Sequence, residues 1–212
     1  MKKNKSWKYI VLCLLLGLFF EYNMQLAKGA EPIPNSEDSH LNSNSFPEFQ
    51  LPAPSSKAEK KYLGLSDNMD FNIGQIKAKV LIIEFFSFYC PHCQRAASKV
   101  NEVYKKIEQQ TALKEEIKII GIGVANSNYE INSFKEKYKV PFPLFSDKST
   151  QIFNLLHAKA TPTFIGIKLN KNGPNEQFYF KEGGFEDSQK FLDEIIKFSK
   201  IGSGDGNEPT DQ

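Results

Sequence analysis

The sequence predicts an α/β layered domain, and three observations predict it. Val80 to Phe88 and Ile117 to Val124 are continuous apolar runs rich in β-branched and aromatic residues, as in strands buried on both faces. Between them Ala97, Val100, Tyr104 and Ile107 recur at three and four positions, the period of an amphipathic helix. Such alternation continues to the end of the folded part, which is the pattern of helices laid on a sheet.

The first 29 residues stand apart from that domain. Lys2, Lys3, Lys5 and Lys8 lead into an apolar run from Tyr9 to Phe20, and the chain turns polar at Glu21. This run is export-signal length and short of the roughly 20 residues a membrane-spanning helix needs. Small residues at Ala27 and Gly29 suit cleavage after Gly29, with an uncleaved anchor as the alternative. Residues 1–29 carry five of the 27 basic and one of the 25 acidic residues, which leaves 22 and 24, a net of −2. With no basic block remaining, nucleic acid is not an expected partner. Residues 30–45, rich in Pro, Ser and Asn, read as a flexible linker, and residues 202–212 as a disordered tail. The folded domain is expected over 46–201.

Taken in order, Val80 to Phe88 is the first strand and the segment after Cys93 the first helix. Ile117 to Val124 is the second strand, and Asn126 to Asn128 caps a helix running to about Tyr138. "PFPLFSD" supplies a short edge, and Lys148 to His157 a further helix that places His157 on a helical face as a packing or surface residue. Thr163 to Leu169 is the third strand and "NKNGPN" a turn. Gln177 to Lys181 is the fourth strand, Gly183-Gly184 a break, and Asp187 to Lys200 the closing helix. Phe85, Phe86, Phe88 and Tyr89 are expected mostly in the core, with Tyr89 also able to shape a shallow peptide-binding surface. The Lys and Glu residues of Lys105 to Lys118 and Lys135 to Lys139 form solvated helix faces.

The chemistry lies in "EFFSFYCPHC", residues 84–93. Once Cys13 leaves with the signal, Cys90 and Cys93 are the remaining cysteines. A disulfide between them closes too short a loop to restrict the unfolded chain much. Zinc would want four Cys or His ligands, and His40, His92 and His157 do not supply a second spaced pair. Covalent haem would want His directly after Cys93, where Gln94 stands. No cofactor and no metal are therefore expected. Cys90 falls where a strand gives way to a helix, whose unpaired first-turn N–H groups and dipole favour a thiolate. Pro91 suits the first helical position, and His92 brings a positive charge or a donor near the Cys90 sulfur. Cys93, one turn on, is placed to attack a mixed disulfide formed at Cys90.

"EFFSFYCPHC" resembles the active-site segment of the DsbA-type thiol oxidases, which share Cys-Pro-His-Cys and the thioredoxin fold. "FPEFQLP" and "KVLIIEFFSFYC" resemble instead the opening of exported TlpA/ResA-type proteins. Ile117 to Phe145 resembles the insertion those proteins share with peroxiredoxins. DsbA-type proteins also carry a separate helical domain, for which Val124 to Thr161 has no room. The resemblance covers about residues 46–200 and implies a thioredoxin-like three-layer α/β/α fold with a central mixed sheet and a β-α insertion. "KATPTF" resembles the cis-proline loop of that fold, which would set Pro162 opposite the cysteines and turn the Thr161 backbone toward a bound substrate strand. Glu84, six residues before Cys90, stands where the fold often keeps a buried acid, which implies proton exchange with Cys93. The alternative for Glu84 is a strand-edge side chain reaching solvent.

These residues point to an exported thiol–disulfide oxidoreductase acting outside the cytoplasm, in a bacterial periplasm, on cysteine-containing client proteins. A membrane or soluble redox partner would restore it. Pro-His between the cysteines favours a disulfide-donating oxidase. The TlpA/ResA-like frame, Glu84 and Thr161 favour a reductant, as in cytochrome c maturation, or an isomerase. A thiol peroxidase is a weaker alternative, since the Pro-x-x-x-Thr-x-x-Cys pattern is absent before Cys90. A non-catalytic binding module would leave the intact cysteine pair unexplained.

Overall fold

The computed structural model describes residues 46–66 and 68–201. The expected signal, linker and tail lie outside the described residues. A five-stranded sheet is built from β3 (Val80–Phe86), β4 (Ile117–Val124), β5 (Leu144–Asp147), β6 (Thr163–Lys168) and β7 (Glu176–Glu182), in the order β5-β4-β3-β6-β7. β4 pairs parallel to β3 and to β5, whereas β6 runs antiparallel to both β3 and β7. Two short strands, β1 (Gln50–Leu51) and β2 (Phe71–Asn72), form a separate antiparallel pair.

β3 is buried at every position because both of its faces are covered. Its side chains alternate between two cores, as a period of two requires. Leu81, Ile83 and Phe85 join Leu51, Phe71, Ile120, Ile122 and Ile165 on one side. Val80, Ile82 and Phe86 face the other, where three helices lie: α2 (Pro91–Glu108), α4 (Asn128–Tyr138) and α6 (Ser188–Ser199). α2 presents Cys93, Ala97, Val100, Val103 and Ile107 to this core, α4 Ile131 and Phe134, and α6 Phe191, Leu192 and Ile195. The fold is thus a mixed α/β sandwich of helices and a central mixed sheet, as the alternating pattern predicts.

Several elements differ from the sequence expectation, each for a local reason. α1 (Lys57–Leu63) has a single buried residue, Leu63, and so shows no apolar period; Ser56 caps its start and Gly64, at φ 70°, ends it. Lys105 to Lys118 is not one face: α2 stops at Glu108, and α3 (Thr111–Glu116) follows. The helix expected from Lys148 to His157 shrinks to α5 (Gln151–Leu155), because Thr150 and His157 both take positive φ, 60° and 55°. His157 therefore lies beyond the helix and is exposed. β3 ends at Phe86, leaving Phe88 half-buried, and Tyr89 is 66% exposed rather than in the core. The α4 cap, by contrast, falls within the expected Asn126 to Asn128: it is Ser127, which forms a capping box with Glu130.

Candidate active site

Strand register brings the site together. Phe86 pairs with Gly123 in the parallel β3–β4 ladder, so the turn leaving β3 emerges beside the one leaving β4. Phe85 pairs with Thr163 in the antiparallel β3–β6 ladder, so the loop entering β6 arrives at the same end. Ser87–Cys90, Ala125–Ser127 and Thr161–Pro162 thereby converge, although they lie far apart in the chain. In open α/β sheets this carboxyl end of the parallel strands is where sites are built.

Cys90 is the N-cap of α2, in extended conformation, and Pro91 occupies the first helical position. The Cys90 Sγ accepts from the Cys93 backbone N–H at 3.4 Å and donates as a thiol to the Thr161 carbonyl at 3.2 Å. Both cysteines are free thiols. Cys90 is partly exposed and Cys93 0% exposed, so of the two sulfurs Cys90 is the one open to attack from solvent. Burial alone would push the Cys90 thiol up. Hydrogen bonds from the Cys93 thiol, the Thr161 side chain and the Cys93 and His92 backbone N–H groups outweigh it and hold Cys90 below its ordinary value. Burial, and the Cys90 sulfur next to it, push the Cys93 thiol strongly up. The two sulfurs are chemically unlike: Cys90 is drawn toward the thiolate and Cys93 held toward the thiol.

The remaining expected residues fall as follows. The Thr161–Pro162 peptide is cis, Pro162 is buried, and the Thr161 carbonyl faces Cys90. The His92 backbone N–H serves Cys90, but its exposed ring turns away to accept from Arg95 Nη2 at 2.9 Å. Glu84 is only 3% exposed, in the middle of the central strand, which overturns the alternative of a side chain reaching solvent. Alternation puts it on the same face as Ile82 and Phe86, the face against which Cys93 and α2 pack. Its Oε1 has no hydrogen-bond partner, and burial pushes its carboxyl up to about 8. Tyr89 stacks edge-on against Phe88 and donates to Glu130.

Sequence reasoning missed three residues here. Asn126, 0% exposed, accepts from the Phe88 N–H at 2.8 Å; Gln94 donates to the Phe88 carbonyl at 2.9 Å; Glu130 accepts from Tyr89. A polar residue two positions after an apolar parallel strand, as in "GVAN", was the available signal for Asn126. Among the described residues, no group of three or more His, Cys, Asp and Glu side chains is arranged to hold a metal ion.

The AhpC/TSA family matches residues 43–179, more than half of the chain. The chain belongs to the AhpC/TSA family. Two thiol-disulfide oxidoreductases named ResA resemble it. That of Geobacillus kaustophilus is 24% identical over 126 residues, 59% of this chain and 68% of the relative. That of Geobacillus thermodenitrificans is 23% identical over 152 residues, 72% and 83% of the two chains. A crystal structure from Bacteroides vulgatus, the thioredoxin domain of a thiol-disulfide oxidoreductase, superposes with a TM-score of 0.53. It is 11% identical and covers 73% of this chain and 95% of that one, a likeness of fold. Within its family the chain is a thiol–disulfide oxidoreductase, similar in sequence to the ResA proteins.

Proposed function

We propose that this protein is an exported thiol–disulfide oxidoreductase that donates the Cys90–Cys93 disulfide to client proteins outside the cytoplasm. The observation that carries the direction is Cys90 at the N-cap of α2, held below its ordinary pKa by converging hydrogen bonds. Stabilising the Cys90 thiolate stabilises the reduced pair, which makes its disulfide the stronger oxidant. In the first step a client thiolate attacks Cys90 Sγ, the Cys90–Cys93 bond breaks, and Cys93 leaves with the electron pair. Glu84, protonated below about 8, supplies the proton that Cys93 takes up. A second client thiolate then attacks the client sulfur of the mixed disulfide, forming the client disulfide and releasing the Cys90 thiolate. The client loses two electrons and the pair gains them. The cis Pro162 loop and Tyr89 flank the client segment, with the Thr161 backbone pairing to it.

The buried Glu84 favours a second reading, a reductant. Run backwards, the same carboxylate is the base that frees Cys93 to resolve a mixed disulfide. The signal over 1–29, with cleavage after Gly29 or retention as an anchor, the linker over 30–45 and the tail over 202–212 complete the proposal. The DsbA-like Pro-His pair belongs to it as well. Equilibration of the pair with glutathione decides the direction. A potential between about −120 and about −200 mV is expected for a donor, and a value near about −270 mV, the thioredoxin end, would establish the reductant instead.

A further inference from the structure

The geometry points to Asn126 as a positioning residue for Cys90, fixing from the β4–α4 connection the turn that delivers the cysteine to the helix N-terminus. This rests on the reading of Cys90 as the attacking and attacked sulfur. Asn126 lies 38 positions from Phe88, touches neither cysteine in any hydrogen bond, and had no role in the chemistry above.

The turn Ser87–Cys90 closes on itself through Cys90 N–H to the Ser87 carbonyl, at 3.1 Å. Phe88, in the middle of the turn, has no ladder partner, since β3 has ended at Phe86. Asn126 Oδ1 accepts from the Phe88 N–H, Gln94 Nε2 donates to the Phe88 carbonyl, and Asn126 Nδ2 lies 3.5 Å from Ser87 Oγ. Both backbone polar groups of Phe88 are thus held by side chains, one from another loop and one from α2. Tyr89, the next residue, is held through Glu130, which the Ser127 N–H and hydroxyl fix at 2.6 and 2.7 Å. Three consecutive residues before Cys90 answer to the segment 126–130.

Asn126 is itself held in place. Ala125 sits at φ 54°, a left-handed conformation that costs a residue with a Cβ about 1 kcal/mol or more. The Ala125 N–H donates to the Asp147 carbonyl at 3.0 Å, and the Asn126 carbonyl accepts from the Ser146 hydroxyl. Strain of this kind persists where surrounding contacts over-determine it, and it gathers at functional sites. Here it turns the chain so that an amide, rather than an apolar residue, enters the space behind the Cys90 turn. The Cys93 N–H that favours a thiolate at Cys90 Sγ is 3.4 Å from it, a long contact that a small displacement of the turn weakens.

The test reads Cys90 alone, through the pH dependence of its alkylation by iodoacetamide in the reduced full chain. Asn126→Ala is expected to slow alkylation below the Cys90 pKa by roughly three- to tenfold, through a smaller thiolate fraction, and to lower the potential of the pair. Leu63→Ala, a buried truncation at the end of α1 on the other side of the sheet, serves as the matched loss of stability by denaturant midpoint. It is expected to leave the Cys90 profile in place. Asn126→Ser, which keeps a polar side chain too short to reach the Phe88 N–H, shifts the profile in the same direction and decides the matter if Asn126→Ala does not fold. The proposal is overturned if Asn126→Ala, or Asn126→Ser in its place, leaves the Cys90 profile unmoved. Because no client is present, failure of wild-type protein to oxidise clients would sink the proposed function without touching this result.

Discussion

Cys93→Ser is expected to halt client exchange at a covalent complex through Cys90, with turnover down by at least about a thousandfold, because an intramolecular nucleophile of high effective concentration has been removed. The reduced variant still presents the Cys90 thiolate, which attacks a client disulfide and forms a mixed disulfide. Nothing on α2 then displaces the client. Non-reducing electrophoresis with a disulfide-containing client checks this, and the complex should dissolve on adding dithiothreitol. Cys90→Ser is expected to trap none, because Cys93 is fully buried and its thiol is pushed strongly up. Trapping by Cys90→Ser in place of Cys93→Ser would reverse the roles of the two sulfurs.

The parts of this site that were legible in the sequence are those whose reason is local. Val80 to Phe86 reads as a buried strand because every residue but Glu84 is apolar, and that exception marks Glu84 as unusual. Cys90 to Cys93 reads as a helix start because Pro91 cannot sit further in. Pro162 is legible by resemblance of "KATPTF". What was not legible depends on register. Asn126 and Glu130 reach residues 38 and 41 positions away, and nothing in "GVANSNYE" states that Gly123 lies level with Phe86. α1 escaped notice because a seven-residue helix with one buried side chain has no period to detect. The misplacing of His157 has the same root: the end of α5 is set by positive φ at His157, a choice made by packing of Leu156 and Ala158 and not by any glycine.

The position of Glu84 joins these two halves. Register sets it between Gly121 of β4 and Phe164 of β6, which leaves no polar neighbour in the ladder to receive its carboxylate. The helix that carries Cys93 covers it from above. An acid in such a place is costly when charged and useful when neutral, so its retention makes sense as a proton store for a thiol whose own proton is hard to remove.

Glu84→Gln is therefore expected to stabilise the reduced protein at neutral pH. The folded carboxyl is raised to about 8 from its ordinary 4.5, with burial as the cause. Between those values the folded state holds a proton that the unfolded state releases, so wild-type stability is greatest below about 4.5 and falls as pH rises toward 8. At 1.36 kcal/mol per unit the loss amounts to about 3 kcal/mol by neutral pH and about 5 kcal/mol by the folded pKa. The glutamine variant has no such dependence and gains about those amounts over wild type at the two pH values, less a smaller cost for its buried amide. Urea unfolding at pH 5, 7 and 8 measures it; a wild-type curve flat across that range would show that Glu84 does not hold its proton. The gain should come with a loss in function. Without an ionisable group beneath Cys93, the step in which that thiol gains or gives up its proton should slow by about 10²–10⁴-fold, the range for a positioned acid or base. The break near pH 8 in its rate profile should vanish, and Glu84→Asp should restore part of both. A variant more stable at pH 7 yet unchanged in rate profile would leave Glu84 a burdensome core residue and no proton partner.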